Sequence, residues 1–121
     1  MNALFVYGLL KPGFSLHHVA EPFVTKVIPG RSRGRLYDAG VPAARFDEDG
    51  LIEGFVLWLD RERLDEAFRI LDDLEDEGTE YRRVPIEVQT EGGTVSSWAY
   101  EYLLPVEGRP AAGTAWFSLI I

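Results

Sequence analysis

Apolar positions along the chain follow two rhythms, one of strands and one of a helix. Leu4-Phe5-Val6-Tyr7 is an unbroken apolar run stopped by Gly8, the pattern of a buried strand. Lys11-Pro12-Gly13 supplies turn chemistry. Ser15 then stands where it can cap a short helix carrying Leu16, Val19 and Ala20. Phe23 to Ile28 is rich in β-formers and ends at Pro29-Gly30. Arg31 to Asp38 reads as the next strand, closed by Ala39-Gly40 and Pro42. Asp47-Glu48-Asp49-Gly50 is a turn. Leu51 to Leu59 is a long apolar strand interrupted by Gly54, which marks a bulge or a close backbone approach.

The period changes after Asp60. Leu64, Phe68, Leu71 and Glu75 are spaced four, three and four apart, with Ala67 and Leu74 beside them. That is one face of an amphipathic helix over Asp60 to Leu74, with Asp60 as N-cap and Gly78 as the stop. Tyr81 to Thr90 returns to strand, with Val84, Ile86 and Val88 alternating. Glu91-Gly92-Gly93 is a hairpin turn, and Val95 to Leu104 pairs back with Trp98, Tyr100 and Tyr102 on one face. Ala115-Trp116-Phe117 predicts a last short strand. Many strands and one long helix predict an α+β domain on a closed or nearly closed sheet. Closure also protects strand edges in a small domain.

The 121 residues predict one domain, 1–121, with a small core. No apolar run is long enough for a membrane span, and the N-terminus has no signal-type core. With no cysteine, neither disulfides nor thiol nucleophiles are available, and a cytoplasmic location is expected. A net charge of -8 disfavours nucleic acid as a partner; its plainest reading is solubility.

Two places carry chemistry. The segment Leu71 to Glu77 holds five carboxylates, which on charge alone reads as a solvated helix end. Glu75 departs from that reading because it lies on the Leu64–Phe68–Leu71 stripe and leans towards the core, whereas Asp72, Asp73 and Asp76 point to solvent. Burial, neighbouring negative charge and the negative helix end all raise its proton affinity. A carboxyl tuned upward suits general acid–base chemistry. Arg82 or Arg83, if paired with Glu75, would cancel the shift. The second place is Tyr7-Gly8-Leu9-Leu10. Gly8 removes a Cβ that would keep a ligand from the backbone, and successive N–H groups at such a turn can bind an anion. An ordinary strand end closed by glycine is the competing reading.

Together these places resemble the gamma-glutamylcyclotransferase-like (AIG2-like) family. Its first signature is an apolar strand followed by Tyr-Gly-Thr/Ser-Leu, often with Lys-Pro-Gly after it; here it reads Phe5-Val6-Tyr7-Gly8-Leu9-Leu10-Lys11-Pro12-Gly13. Its second is Leu-Asp-x-x-Glu and then a Tyr-x-Arg strand opening; here it reads Leu71-Asp72-Asp73-Leu74-Glu75 and Tyr81-Arg82-Arg83. Gly34 to Asp38, Gly54 to Trp58, Trp98 to Tyr100 and Gly113 to Trp116 are similar to further family segments. Leu9 stands where the family carries a hydroxyl residue, and Asp76 where it carries glycine.

The resemblance implies an α+β fold: a small, mainly antiparallel β-barrel with one long helix and short flanking helices. It implies that Glu75 is the catalytic glutamate and that Tyr7, Gly8, Leu9 and Leu10 bind the α-carboxylate end of a glutamyl group. Tyr81 is a further substrate-binding candidate; Tyr81 and Tyr100 either line the cavity or pack in the core. The implied reaction is an intramolecular aminolysis that releases 5-oxoproline from a small-molecule gamma-glutamyl substrate without cofactor or metal. A non-catalytic module holding a small carboxylate in the same cavity is the alternative. An acidic interaction domain is a third reading, but it calls for a large exposed apolar patch. His17 and His18 lack further ligands at metal-binding spacing. Trp58, Trp98 and Trp116 read as core or cavity wall. Of the strand neighbours Arg82 and Arg83, at most one can face a substrate carboxylate.

Overall fold

The computed structural model describes residues 1–117. Five strands close into a barrel in the order β1 (Ala3–Val6), β5 (Leu51–Leu59), β2 (Val24–Arg33), β6 (Tyr81–Thr90) and β7 (Gly93–Tyr102). β7 returns to β1 by the one parallel pairing among them, Leu4 with Trp98 and Phe5 with Ala99. A separate hairpin pairs β3 (Arg35–Asp38) with β4 (Pro42–Arg45). The helices are α1 (His17–Ala20) and α2 (Leu64–Leu74). The fold is therefore the α+β barrel with one long helix that the pattern predicts.

β1 is buried on both faces, which explains why its sequence is apolar without alternation. Leu4 and Val6 pack with Leu57, Leu59 and the buried face of α2, namely Ala67, Phe68 and Leu71. Ala3, Phe5 and Tyr7 pack with Ile52, Val56, Val88 and Ala99 in a second cluster. Gly54 is a close approach and not a bulge. The β2–β5 register runs through it unbroken, Gly30 facing Gly54, and a Cβ on Gly54 would collide with the carbonyl of Val6.

Several boundaries differ from the sequence reading. Pro29-Gly30 does not end a strand, because β2 runs on to Arg33. Along that stretch β2 pairs with β6 only at Arg31 and Gln89, so the N–H that Pro29 lacks interrupts no ladder there. The break falls at Gly34, whose φ of 149° and close contact with the Arg45 carbonyl favour glycine. Pro42–Arg45 is a strand to which the sequence reading assigns no element. Ser15 caps nothing: the residue before α1 is Leu16, with no side-chain cap bond. Asp60 caps a single 3₁₀ turn that precedes α2, its carboxylate accepting from the Glu62 N–H at 3.0 Å.

α2 stops at Asp76 and not at Gly78. Asp76 takes the left-handed conformation, φ 50°. Its N–H donates to the Asp73 carbonyl at 3.2 Å, and the Glu77 N–H donates to that of Asp72 at 2.9 Å. This pair of bonds is a Schellman close, and aspartate is among the few residues that tolerate its left-handed position. The predicted strand at 115–117 is absent. That segment ends a strap anchored by Asp38 N–H to the Pro110 carbonyl, Ala112 N–H to the Leu36 carbonyl and Glu53 N–H to the Thr114 carbonyl, at 2.9, 2.9 and 2.7 Å. No helix among the described residues is long and apolar enough to cross a membrane.

Candidate active site

The end of β1, the end of α2 and the start of β6 converge on a cavity of about 160 Å³. Tyr7, Gly8, Leu9, Leu10, Glu75 and Tyr81 all line it. The first glycine bend and the acid at the end of the long helix, 67 positions apart in sequence, thus share one pocket.

Glu75 is the C-cap of α2, and its N–H donates to the Leu71 carbonyl at 3.0 Å. The Schellman turn follows at Asp76, and the half-buried side chain of Glu75 lies beside the cavity. Burial, and then the negative charge of Glu80, push its pKa from an ordinary 4.5 up to about 7. The neighbouring charge is therefore Glu80, not the acidic run before Glu75. No described basic side chain forms an ion pair with Glu75. Arg82 is exposed. Arg83 is engaged elsewhere, so neither cancels the shift.

Arg83 donates to Asp72 through Nε and Nη2 at 2.9 and 3.2 Å. Its guanidinium lies 4.0 Å from the centre of the Phe68 ring and 4.6 Å from that of Trp98. Asp72 also accepts from the Tyr100 hydroxyl at 2.7 Å. Asp72 is therefore a half-buried tie between α2, β6 and β7, and not the solvated residue the sequence reading expects. The Leu-Asp-x-x-Glu motif contained the signal: a residue three before Glu75 shares an adjacent helical face.

The loop after β1 turns on a bond from the Lys11 N–H to the Gly8 carbonyl, 3.1 Å. The carbonyl of Leu9 accepts from the Leu16 N–H at 3.0 Å and that of Leu10 faces His17 Nδ1 at 2.8 Å. These bonds occupy carbonyl oxygens and leave the amides clear: no described residue accepts from the N–H of Gly8, Leu9 or Leu10. The reason for Gly8 differs from the expected one. A Cβ there would meet the ring of Pro42, on the missed strand β4, at 2.7 Å; glycine makes room for Pro42, which lines the same cavity.

Three phenols form one wall. Tyr7 donates to the Tyr100 carbonyl at 2.5 Å, and Tyr81 donates to the Pro42 carbonyl at 2.6 Å. Burial first, and neighbouring acids including Glu75 after it, raise the proton affinity of Tyr7, Tyr81 and Tyr100. Phe5, Val6, Leu16, Val41, Pro42, Leu74 and Glu80 also line the cavity, and the sequence reading of the site leaves them out. None of the three tryptophans lines the cavity. His18 Nδ1 faces its own turn, 2.9 Å from the Ser15 carbonyl. Among the described residues no group of three metal-ligating side chains gathers.

The fold and this pocket define a closed barrel with a cavity lined by two carboxylates. The chain belongs to the family described as gamma-glutamyl cyclotransferase, AIG2-like, whose model matches residues 4–118. No curated protein matches it. Among solved structures, an AIG2-like protein from Mus musculus superposes with a TM-score of 0.74 at 23% identity, over 92% of this chain and 85% of the mouse chain. YkqA from Bacillus subtilis gives 0.66 at 28% identity over 84% of this chain and 35% of its own, so this chain spans about a third of that protein. A yeast gamma-glutamyl cyclotransferase specific to glutathione gives 0.57 at 13% identity, over 83% of this chain and 68% of the yeast chain.

Proposed function

We propose that this chain is a cyclotransferase that releases 5-oxoproline from a γ-glutamyl amide, with Glu75 as its proton carrier. The observation that carries the reading is one cavity lined both by Glu75, a carboxyl of pKa about 7, and by Gly8, Leu9 and Leu10, whose N–H groups have no described acceptor. The substrate's α-carboxylate sits against the N–H groups of Gly8, Leu9 and Leu10, the chemistry of an anion-binding turn. Its α-amine, deprotonated by the Glu75 carboxylate, attacks the side-chain amide carbonyl. A C–N bond closes the five-membered lactam. Glu75 returns the proton to the departing amine as the original amide C–N bond breaks. The nucleophile belongs to the substrate, so the protein's part is to hold the attacking geometry and move one proton. Well-oriented ring closures gain on the order of 7–11 kcal/mol from such positioning.

Leu9 supplies no side-chain donor, which places the burden of anion binding on the backbone. The same feature favours a second reading, a module that holds a small carboxylate without turnover. A panel of γ-glutamyl amines and γ-glutamyl-lysine isopeptides separates the two. Turnover predicts 5-oxoproline and free amine in equal amounts. Saturable binding with no product from any member supports the binding module and overturns the enzyme.

A further inference from the structure

Glu80 is the second carboxylate of the cavity, and the reaction outlined above gives it no role. Its backbone is held on both sides: its N–H donates to the Asp76 carbonyl at 3.0 Å, and its carbonyl accepts from the Leu103 N–H at 2.9 Å. The residue is half-buried, yet no described side chain hydrogen-bonds or ion-pairs with its carboxylate. That leaves its charge open to a cationic partner.

No described side chain supplies one. The charged residues lining the cavity are Glu75 and Glu80, both acidic. Arg83 is bound to Asp72 at 2.9 Å. Lys11 is turned to the Trp116 carbonyl at 2.7 Å, over the Phe14 ring. The phenols of Tyr7, Tyr81 and Tyr100 donate to the Tyr100 carbonyl, the Pro42 carbonyl and Asp72. The cavity is therefore lined on one side by the β1 loop, whose N–H groups have no described acceptor, and on the other by an uncompensated negative field at the α2–β6 turn. Its complement is a small molecule bearing a carboxylate and a cation.

We infer that Glu80 is the ammonium-binding residue of the site, holding the α-amino group of the ligand while Glu75 exchanges its proton. The assignment rests on the cyclotransferase reading and divides the labour between two acids. By attracting the ammonium, Glu80 raises the proton affinity of the substrate amine. By repelling a second negative charge, it raises that of Glu75. The proton transfer between the two is left near balance, so the net gain lies in binding and in selection for a free amino group. An analogue without the amine gains nothing from Glu80.

The test uses the full chain carrying Glu75→Gln, which holds ligand without turning it over, with and without Glu80→Gln. Binding of γ-glutamylethylamide and of its des-amino analogue, N-ethylglutaramate, is measured by calorimetry. The expected result is a loss of roughly tenfold in affinity for γ-glutamylethylamide on Glu80→Gln, the scale of a charged hydrogen bond, with N-ethylglutaramate unaffected. Equal losses for both ligands, or no loss for either, overturn the assignment. Wild-type protein assayed beside them keeps the two ideas apart. If it forms 5-oxoproline from γ-glutamylethylamide while binding ignores Glu80, only the Glu80 assignment falls. If it forms none and the ligand does not bind, both fall.

Discussion

At neutral pH a carboxyl of ordinary affinity is almost wholly ionised, whereas Glu75, at about 7, is divided between its two forms. A group so divided can both take and return a proton, and this has a kinetic consequence. The attacking step needs the carboxylate, so kcat/KM falls as pH drops through about 7. Removing the charge of Glu80 eases ionisation of Glu75, so Glu80→Gln moves that acid limb to lower pH. The phenols facing Glu75, on Tyr7, Tyr81 and Tyr100, all have raised proton affinity and stay neutral across the range. A pH–rate profile in which the limb stays put would contradict the coupling. There is a stability consequence as well. Between pH 4.5 and about 7 the folded chain keeps a proton on Glu75 that the unfolded chain has released. Stability therefore declines as pH rises across that window, by ~3 kcal/mol at about 1.4 kcal/mol per pH unit. Glu75→Gln removes the penalty, so thermal midpoints should show the variant more stable than wild type at pH 8 and nearly equal at pH 4. The orientation of Glu75 was legible in its spacing from Leu71 and Phe68. The charge acting on it was not, because Glu80 reaches the cavity only after the left-handed turn at Asp76, which helical periodicity does not describe.

Among the elements, the end of α2 depends on Asp72. Arg83 and the Tyr100 hydroxyl both converge on it, and the Arg83 guanidinium is stacked on two rings. Arg83→Ala leaves Asp72 with one donor and uncovers Phe68 and Trp98. The pair is partly exposed, at 23% for Arg83 and 29% for Asp72, so the cost is moderate, about 1–3 kcal/mol in urea unfolding. A change within measurement error would show that the tie carries no stability. At this scale the sequence was informative where side chains set the element and silent where pairing does. β1, β5, α2 and the β6–β7 hairpin follow their apolar periods. Pro42-Ala43-Ala44 carries no strand signal of its own and becomes β4 only because Leu36 and Tyr37 pair with Ala44 and Ala43. Pro29-Gly30 carries a strong break signal that the sparse β2–β6 pairing does not enforce.

Across the whole molecule, closure of the barrel brings the two halves of the cavity together. β1 delivers the Gly8–Leu10 amides, and it is held between β5 and β7. The approach of Gly54 to the Val6 carbonyl sets how closely β5 can press on β1 just before that loop. Gly54→Ala forces two backbones apart where neither can yield cheaply, with an expected loss of about 2 kcal/mol or more and weaker ligand binding at the neighbouring loop. Wild-type stability in that variant would mean that β1 shifts freely. A closed sheet was legible from the number of strands and the size of the domain. The strand order was not, since no local pattern records that β1 enters between β5 and β7, one antiparallel and one parallel.

The central claim concerns proton transfer by Glu75 within this cavity. It is tested most directly by following 5-oxoproline release from one γ-glutamyl amide, at pH 7 and pH 8, by the wild-type chain and by Glu75→Gln with its fold verified. Proton transfer by Glu75 requires steady release by the wild type and none above the uncatalysed background by the variant. Release at equal rates by both proteins would contradict it.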